Sequence, residues 1–191
     1  MPDTPQPAGR RDGIVRAAVG VFLRYGPRKT SMDDVARAAE ISRQGLYLHF
    51  TTKDALFRAV VTQMLDDLRS TTWQALGRDD HTVEERLAGA FEAFHAVTVG
   101  TVDRETYAEM LRAAQAFAAA PMSQLEQDLV TDVAALLARG GHAKAWKAAG
   151  VSAADVAQHL FDASAGAKYE SVSLDEYRRR LGVSVRIVTR R

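Results

Sequence analysis

Cysteine is absent from the 191 residues. A disulfide framework, a thiolate nucleophile and a thiolate metal site are therefore excluded, and the absence fits a reducing compartment. Only five prolines occur, and Pro2, Pro5 and Pro7 cluster in the opening stretch MPDTPQPAG, which reads as a flexible tail over residues 1–10. That stretch has no apolar centre of the kind a secretory leader needs. No apolar run is long enough to span a bilayer, so no membrane partner is expected and the chain reads as cytoplasmic. His95, His142 and His159 have Glu92 and Asp155 nearby in sequence. No pair has HExxH spacing, so neither a metal site nor a cofactor is expected. Glu109, His95 and Tyr107 are acid–base candidates without a nucleophile–base arrangement to serve. No catalytic residue is assigned, and an enzyme is not expected.

Against these absences stand an apolar fraction of 47% and a charged fraction of 26%, enough for a packed core. The net charge of +1 conceals an asymmetry. Residues 1–58 hold ten Lys or Arg against six Asp or Glu, whereas residues 59–191 hold fifteen against eighteen. A small basic module on a mildly acidic body suits phosphate binding, which neutralises charge and releases counterions.

Helical periodicity dominates. Ile14, Ala17, Ala18, Val21, Phe22 and Tyr25 mark one buried face, ended by Gly26-Pro27. Thr30 or Ser31 offers an N-cap to a helix through Ala39, with Asp33 and Asp34 at its positive end. Ser42 caps a third helix to His49, and Thr52 a long fourth one carrying Leu56, Val60, Met64 and Leu68. Beyond the polar break 77–81, helices are expected from Thr82, over Tyr107–Ala119, Met122–Arg139 and Ser152–Lys168, and from Ser173 onward. Val183, Val185 and Ile187 alternate as in a strand, but no second strand offers pairing, so this segment also reads as helix. The fold class is all-α.

Residues 31–50, SMDDVARAAEISRQGLYLHF, have the anatomy of a helix-turn-helix. Ala36 permits close helix crossing, Ile41 and Leu46 plug the angle between the helices, and Ser42 starts a second helix whose first turn is Arg43, Gln44 and Gly45. Arg can pair bidentately with guanine and Gln with adenine, so these three are the candidate base readers. Glu40-Ile41 marks the break between the two helices, and Gly45 costs about 1 kcal/mol of helix propensity relative to Ala.

From Arg11 to Val60 the chain resembles the DNA-binding region of the TetR (tetracycline repressor) family of regulators. The resemblance is carried by Tyr25-Gly26, Thr30-Ser31-Met32-Asp33-Asp34-Val35-Ala36, Ile41-Ser42, Leu46-Tyr47-Leu48-His49-Phe50 and Lys53-Asp54-Ala55-Leu56. It departs at Glu40, where the family usually has Gly, which implies a mildly strained or differently shaped turn. It implies a DNA-binding domain over 11–57 with a three-helix head, and an effector-binding and dimerisation domain over 58–191. By the same resemblance Thr30, Ser42, Tyr47, His49 and Lys53 are candidate phosphate contacts. The implied partners are double-stranded operator DNA, a second copy of the chain and a small-molecule effector. The effector would be largely apolar if it meets Met64, Phe94, His95, Met110, Ala114 and Phe117. Apolar stripes Val156, Leu160, Phe161, Ser164 and Tyr177, Leu181 on the last two helices are the candidate homodimer surface. The basic end, Arg178, Arg179, Arg180, Arg186, Arg190 and Arg191, reads as a solvated face or as bridges between subunits. Repression relieved by the effector is the expected outcome; an effector-free DNA-binding protein is the alternative.

Overall fold

The computed structural model describes residues 9–95, 99, 104–142 and 144–190; most of the expected tail and Arg191 lie outside them. All regular elements among these residues are helices: α1 Arg10–Lys29, α2 Met32–Ala38, α3 Arg43–His49, α4 Lys53–Leu76, α5 Val83–His95, α6 Arg104–Arg139, α7 Lys144–Lys147, α8 Ala153–Glu170 and α9 Leu174–Thr189. The all-α expectation holds, and the alternating valines of α9 are helical.

Local chemistry sets most of these boundaries. Ser31 and Ser152 form capping boxes with Asp34 and Asp155, each serine oxygen accepting the N3 amide while the carboxylate accepts the cap amide. Ser42 and Ser173 cap α3 and α9 through the amides of Gly45 and Glu176. Thr52 caps α4 through Ala55. Two expectations need correction. The separate helices at Tyr107–Ala119 and Met122–Arg139 are one helix, α6, which runs through Pro121. Proline there removes one backbone donor, but the alanines 118–120 are strong helix formers and carry the helix past it. Tyr25 is 45% exposed rather than on the buried face of α1.

Two compact units emerge. The first comprises residues up to Leu65 together with Asp103–Ala118; the second comprises Asp66–Val102 and Ala119–Arg191. The head is thus larger than residues 11–57, since it takes in more of α4 and the beginning of α6. Its core holds Ile14, Val15, Ala18, Phe22, Val35, Ala36, Leu46, Phe50, Leu56, Phe57 and Val60, joined by Met110 and Ala114 of α6. The second unit packs Leu87, Phe91 and Phe94 of α5 with Leu129, Val133 and Leu137 of α6, Leu160 of α8, and Tyr177, Leu181 and Val185 of α9.

Candidate nucleic-acid interface

The turn between α2 and α3 closes as a Schellman motif. The Ile41 amide donates to the Ala36 carbonyl at 3.0 Å, and the Glu40 amide to that of Arg37 at 3.2 Å. Such a closure needs a left-handed residue, and Glu40 takes it with φ of 54°, the only non-glycine among the described residues with positive φ. The turn carries the strain that a side chain brings there. Ile41 follows as the hydrophobic plug, packed against the head core with Leu46.

Helix α3 buries Leu46 and turns Arg43, Gln44, Tyr47, Leu48 and His49 outward. Gly45 has a local reason to lack a side chain: a Cβ there would lie 3.1 Å from the Ser42 Oγ that caps the helix. Arg43 pairs with Asp33 of α2 at 3.1 Å, both side chains exposed, and its guanidinium lies 5.7 Å from the Tyr47 ring centroid. Asp34 beside it is committed elsewhere: hydrogen bonds from the Ser31 hydroxyl, then from the Ser31 amide, hold its carboxyl below the usual range.

Two of the five candidate phosphate contacts point inward. Thr30 is 2% exposed, and its hydroxyl donates to the Gly26 carbonyl at 2.8 Å. The Lys53 ammonium donates to the carbonyls of Pro27, Thr30 and Arg28 at 2.8, 3.1 and 3.4 Å. Lysine has three donors, and here all three are used on the joint between α1 and α2. Ser42, Tyr47 and His49 remain on the exposed side.

The sequence reading missed what holds that joint from its other side. Glu109 of α6 accepts the Arg28 amide at 2.9 Å. Gly26 is confined twice over. Its φ of 76° with ψ of 163° is a glycine-only conformation, and a Cβ would meet the Glu109 carboxylate at 3.0 Å. A cation from α4 and an anion from α6 thus grip the same short backbone segment, meeting at Arg28. Gly26-Pro27 was the only sequence signal for this arrangement.

The candidate effector residues separate. Met110 and Ala114 are buried in the head core, with Met64 and Phe117 packed against it, while Phe94 and His95 lie in the second unit. The expected domain over 58–191 placed Ala114 outside the head; in space it belongs to the head core. A cleft of about 180 Å³ in the head is lined by Phe22, Pro27, Lys53, Asp54, Phe57, Arg58, Ala113 and Phe117. Arg58 lies 4.5 Å from the Phe117 ring centroid. His95 sits among Phe94, Phe161 and Tyr177, with Nε2 3.1 Å from the Ser164 hydroxyl. Burial, and secondarily the charge of Lys168, lowers its pKa to about 3, so it is neutral at physiological pH. Tyr177 donates to the Phe91 carbonyl, and burial first, then the nearby Glu92, pushes its phenol well up.

The candidate dimer stripe is corrected by burial. Val156, Leu160, Ser164, Tyr177 and Leu181 are buried within the chain itself, and Phe161 is partly covered against the same core. Helical spacing identifies a covered face; this one is covered by α5, α8 and α9 of the same protomer. The apolar residues left exposed on or beside these helices are Tyr169, Val172, Val183 and Ile187. The basic end forms bridges within the chain, Arg178 to Glu92 and Asp175, and Arg180 to Glu170 and Glu176.

Residues 14–60 match the family model described as bacterial regulatory proteins, tetR family. Among curated proteins, the transcriptional repressor KstR2 of Mycolicibacterium smegmatis is 37% identical over 98 residues, covering 50% of this chain and 47% of its own. The transcriptional activator FasR of the same organism is 39% identical over 85 residues, covering 44% and 38%. The matched region thus spans about half or less of these relatives. Over nearly the whole chain, a TetR-like transcriptional regulator from Rhodococcus sp. RHA1 superposes with a TM-score of 0.63 at 26% identity, covering 99% of this chain and 100% of that one. Among the described residues, no helix is long and apolar enough to cross a membrane.

Proposed function

We propose that the chain, whose residues 14–60 match the tetR-family model, is a DNA-binding transcriptional regulator of that family acting as a homodimer, with repression its default outcome. The observation that carries this reading is the exposed first turn and outer face of α3, capped by Ser42 and anchored beneath by Leu46. Arg43 exchanges Asp33 for a guanine edge, a swap between charged partners at the surface, and Gln44 reads adenine. Ser42, Tyr47 and His49 contact phosphate. Lys53 and Thr30 contribute by shaping the joint that presents α2 and α3. Two such heads meet successive major grooves roughly 34–36 Å apart on a near-palindromic operator in the cytoplasm.

The second copy docks on the apolar residues left outside the protomer core, Val183 and Ile187 of α9 with Tyr169 and Val172. A small, largely apolar effector weakens operator binding. Supporting this part are the chain continuity of α4 and α6, which contribute to both units, and the ends of these helices that hold Lys53 and Glu109. A ligand that displaces either helix would loosen the joint, and coupling of about 1–3 kcal/mol suffices to release DNA.

The test is selection of duplexes from a random library by the full chain, followed by binding titrations with and without lipophilic compounds. Enrichment of a near-palindrome, lost in Gln44→Ala, is the expected result. Val183→Asp with Ile187→Asp should give monomers in sedimentation and weak operator binding. A body without response to any compound would favour the effector-free binder, and no enrichment at all would remove the regulator reading.

A further inference from the structure

The outer face of α3 carries two rows of side chains, each a helical turn apart: Arg43 with Tyr47, and Gln44 with Leu48. Arg43, Gln44 and Tyr47 each bring polar groups to that surface. Leu48 does not, and it is 82% exposed, the highest value among the large exposed apolar side chains of the described residues. Its neighbour Leu46 already supplies the apolar anchor of this helix, fully buried. Leu48 therefore contributes nothing to the head core, and its side chain has no polar atom with which to bond a phosphate or a base edge.

A leucine on this face can lose its water only against apolar surface. In the major groove the base edges offer one apolar group, the C5-methyl of thymine. We propose that Leu48 is a specificity-determining residue that reads a thymine methyl group in the operator. The proposal rests on the regulator reading above and adds to it a contact that the polar readers cannot make. Gln44 and Leu48 are four residues apart, about 6 Å along the helix. Base pairs are spaced by about 3.4 Å, so the thymine lies within about two base pairs of the position read by Gln44.

Deoxyuridine differs from thymidine only in lacking this methyl, which makes the experiment direct. Duplexes selected by the native chain are resynthesised with single thymine-to-deoxyuridine replacements, symmetric in the two half-sites. Binding is then titrated with the native chain and with Leu48→Ala. One position is expected to lose about fourfold in affinity per methyl removed, and Leu48→Ala should bind the thymine and uracil duplexes alike at that position. Leu48→Ala changes an exposed side chain, so its melting curve should match that of the native chain. Two results would overturn the proposal: no position responding to loss of its methyl, or a Leu48→Ala chain that keeps the same response. Enrichment without methyl dependence sinks this inference alone, whereas a chain that enriches no sequence sinks the regulator reading with it.

Discussion

The two units use charge in different ways. In the head, Lys53 and Glu109 reach from α4 and α6 to the backbone of Gly26–Thr30, so each ion shapes a main-chain joint. In the second unit Arg178 pairs with Glu92 and Arg180 with Glu170 at the surface, while Arg86 donates to the Leu76 carbonyl at 2.7 Å. Its buried polar side chains His95, Ser164 and Tyr177 have hydrogen-bond partners inside the chain. Surface ion pairs contribute little to stability, because solvent screens them and long side chains resist ordering. Hydrogen bonding of one charged group, such as the Lys53 ammonium, to backbone carbonyls contributes about 1.5–3 kcal/mol, and it also fixes geometry. Loss of Lys53 or Glu109 from the joint should therefore be felt far more than loss of Arg180 from the surface of the second unit.

The sharpest way to break that contrast is at the joint itself. Gly26→Ala forces a side chain into a glycine-only conformation and against the Glu109 carboxylate. A loss of about 3 kcal/mol is expected, read as a lower denaturant midpoint together with loss of sequence-specific DNA binding. Unchanged stability would mean that the joint relaxes freely. Next comes Lys53→Met, which keeps the stem and removes the donors to three carbonyls. It should cost about 2 kcal/mol and weaken binding to every sequence. Were Lys53 a phosphate contact instead, the chain would keep its melting temperature, and the salt dependence of binding would fall by about one unit.

The buried histidine tests the other side of the comparison. His95 has a pKa of about 3 in the folded chain against 6.5 as the ordinary value. Between these limits the unfolded chain binds the extra proton, so stability falls as pH falls. The loss should approach about 2 kcal/mol from pH 7 to pH 5. His95→Phe, which keeps an aromatic ring among Phe94, Phe161 and Tyr177, should flatten that portion of the stability–pH curve. A slope unchanged by the substitution would show that other groups set the acid response. The smallest effect is expected for Arg180→Ala, whose pairs with Glu170 and Glu176 lie at the surface. Its melting temperature should move by about a degree at most, and a larger shift would erase the distinction between the units.

Features with local causes were legible in advance. Ser31, Ser42, Thr52, Ser152 and Ser173 start their helices by bonding amides three residues on, so the boundaries could be read from neighbouring letters. The strained turn at Glu40 was expected from the resemblance, which places Gly there, and the φ of 54° bears it out. Lys53 and Glu109 were not, since their partners lie 23–26 and 81 residues away. Lysine at the start of a helix reads equally well as an anion site. The dimer stripe failed differently: periodicity marks a face as apolar without naming what covers it, and here the same protomer does. The effector candidates failed as a single cluster because apolar residues on separate helices carry no record of which core they join.

By itself the sequence determined the all-helical fold, the serine and threonine caps, the helix-turn-helix and its outward Arg43 and Gln44, because these depend on backbone hydrogen bonds and spacing within a few residues. Only the tertiary structure decided that Thr30 and Lys53 turn inward, that Glu109 grips Arg28, and that Leu160 and Tyr177 are spent inside the chain. Only folding also left Leu48 82% exposed on the outer face of α3. Each of those outcomes depends on which distant helix arrives to offer a carbonyl, an amide or an apolar wall, and that is set by packing across the chain.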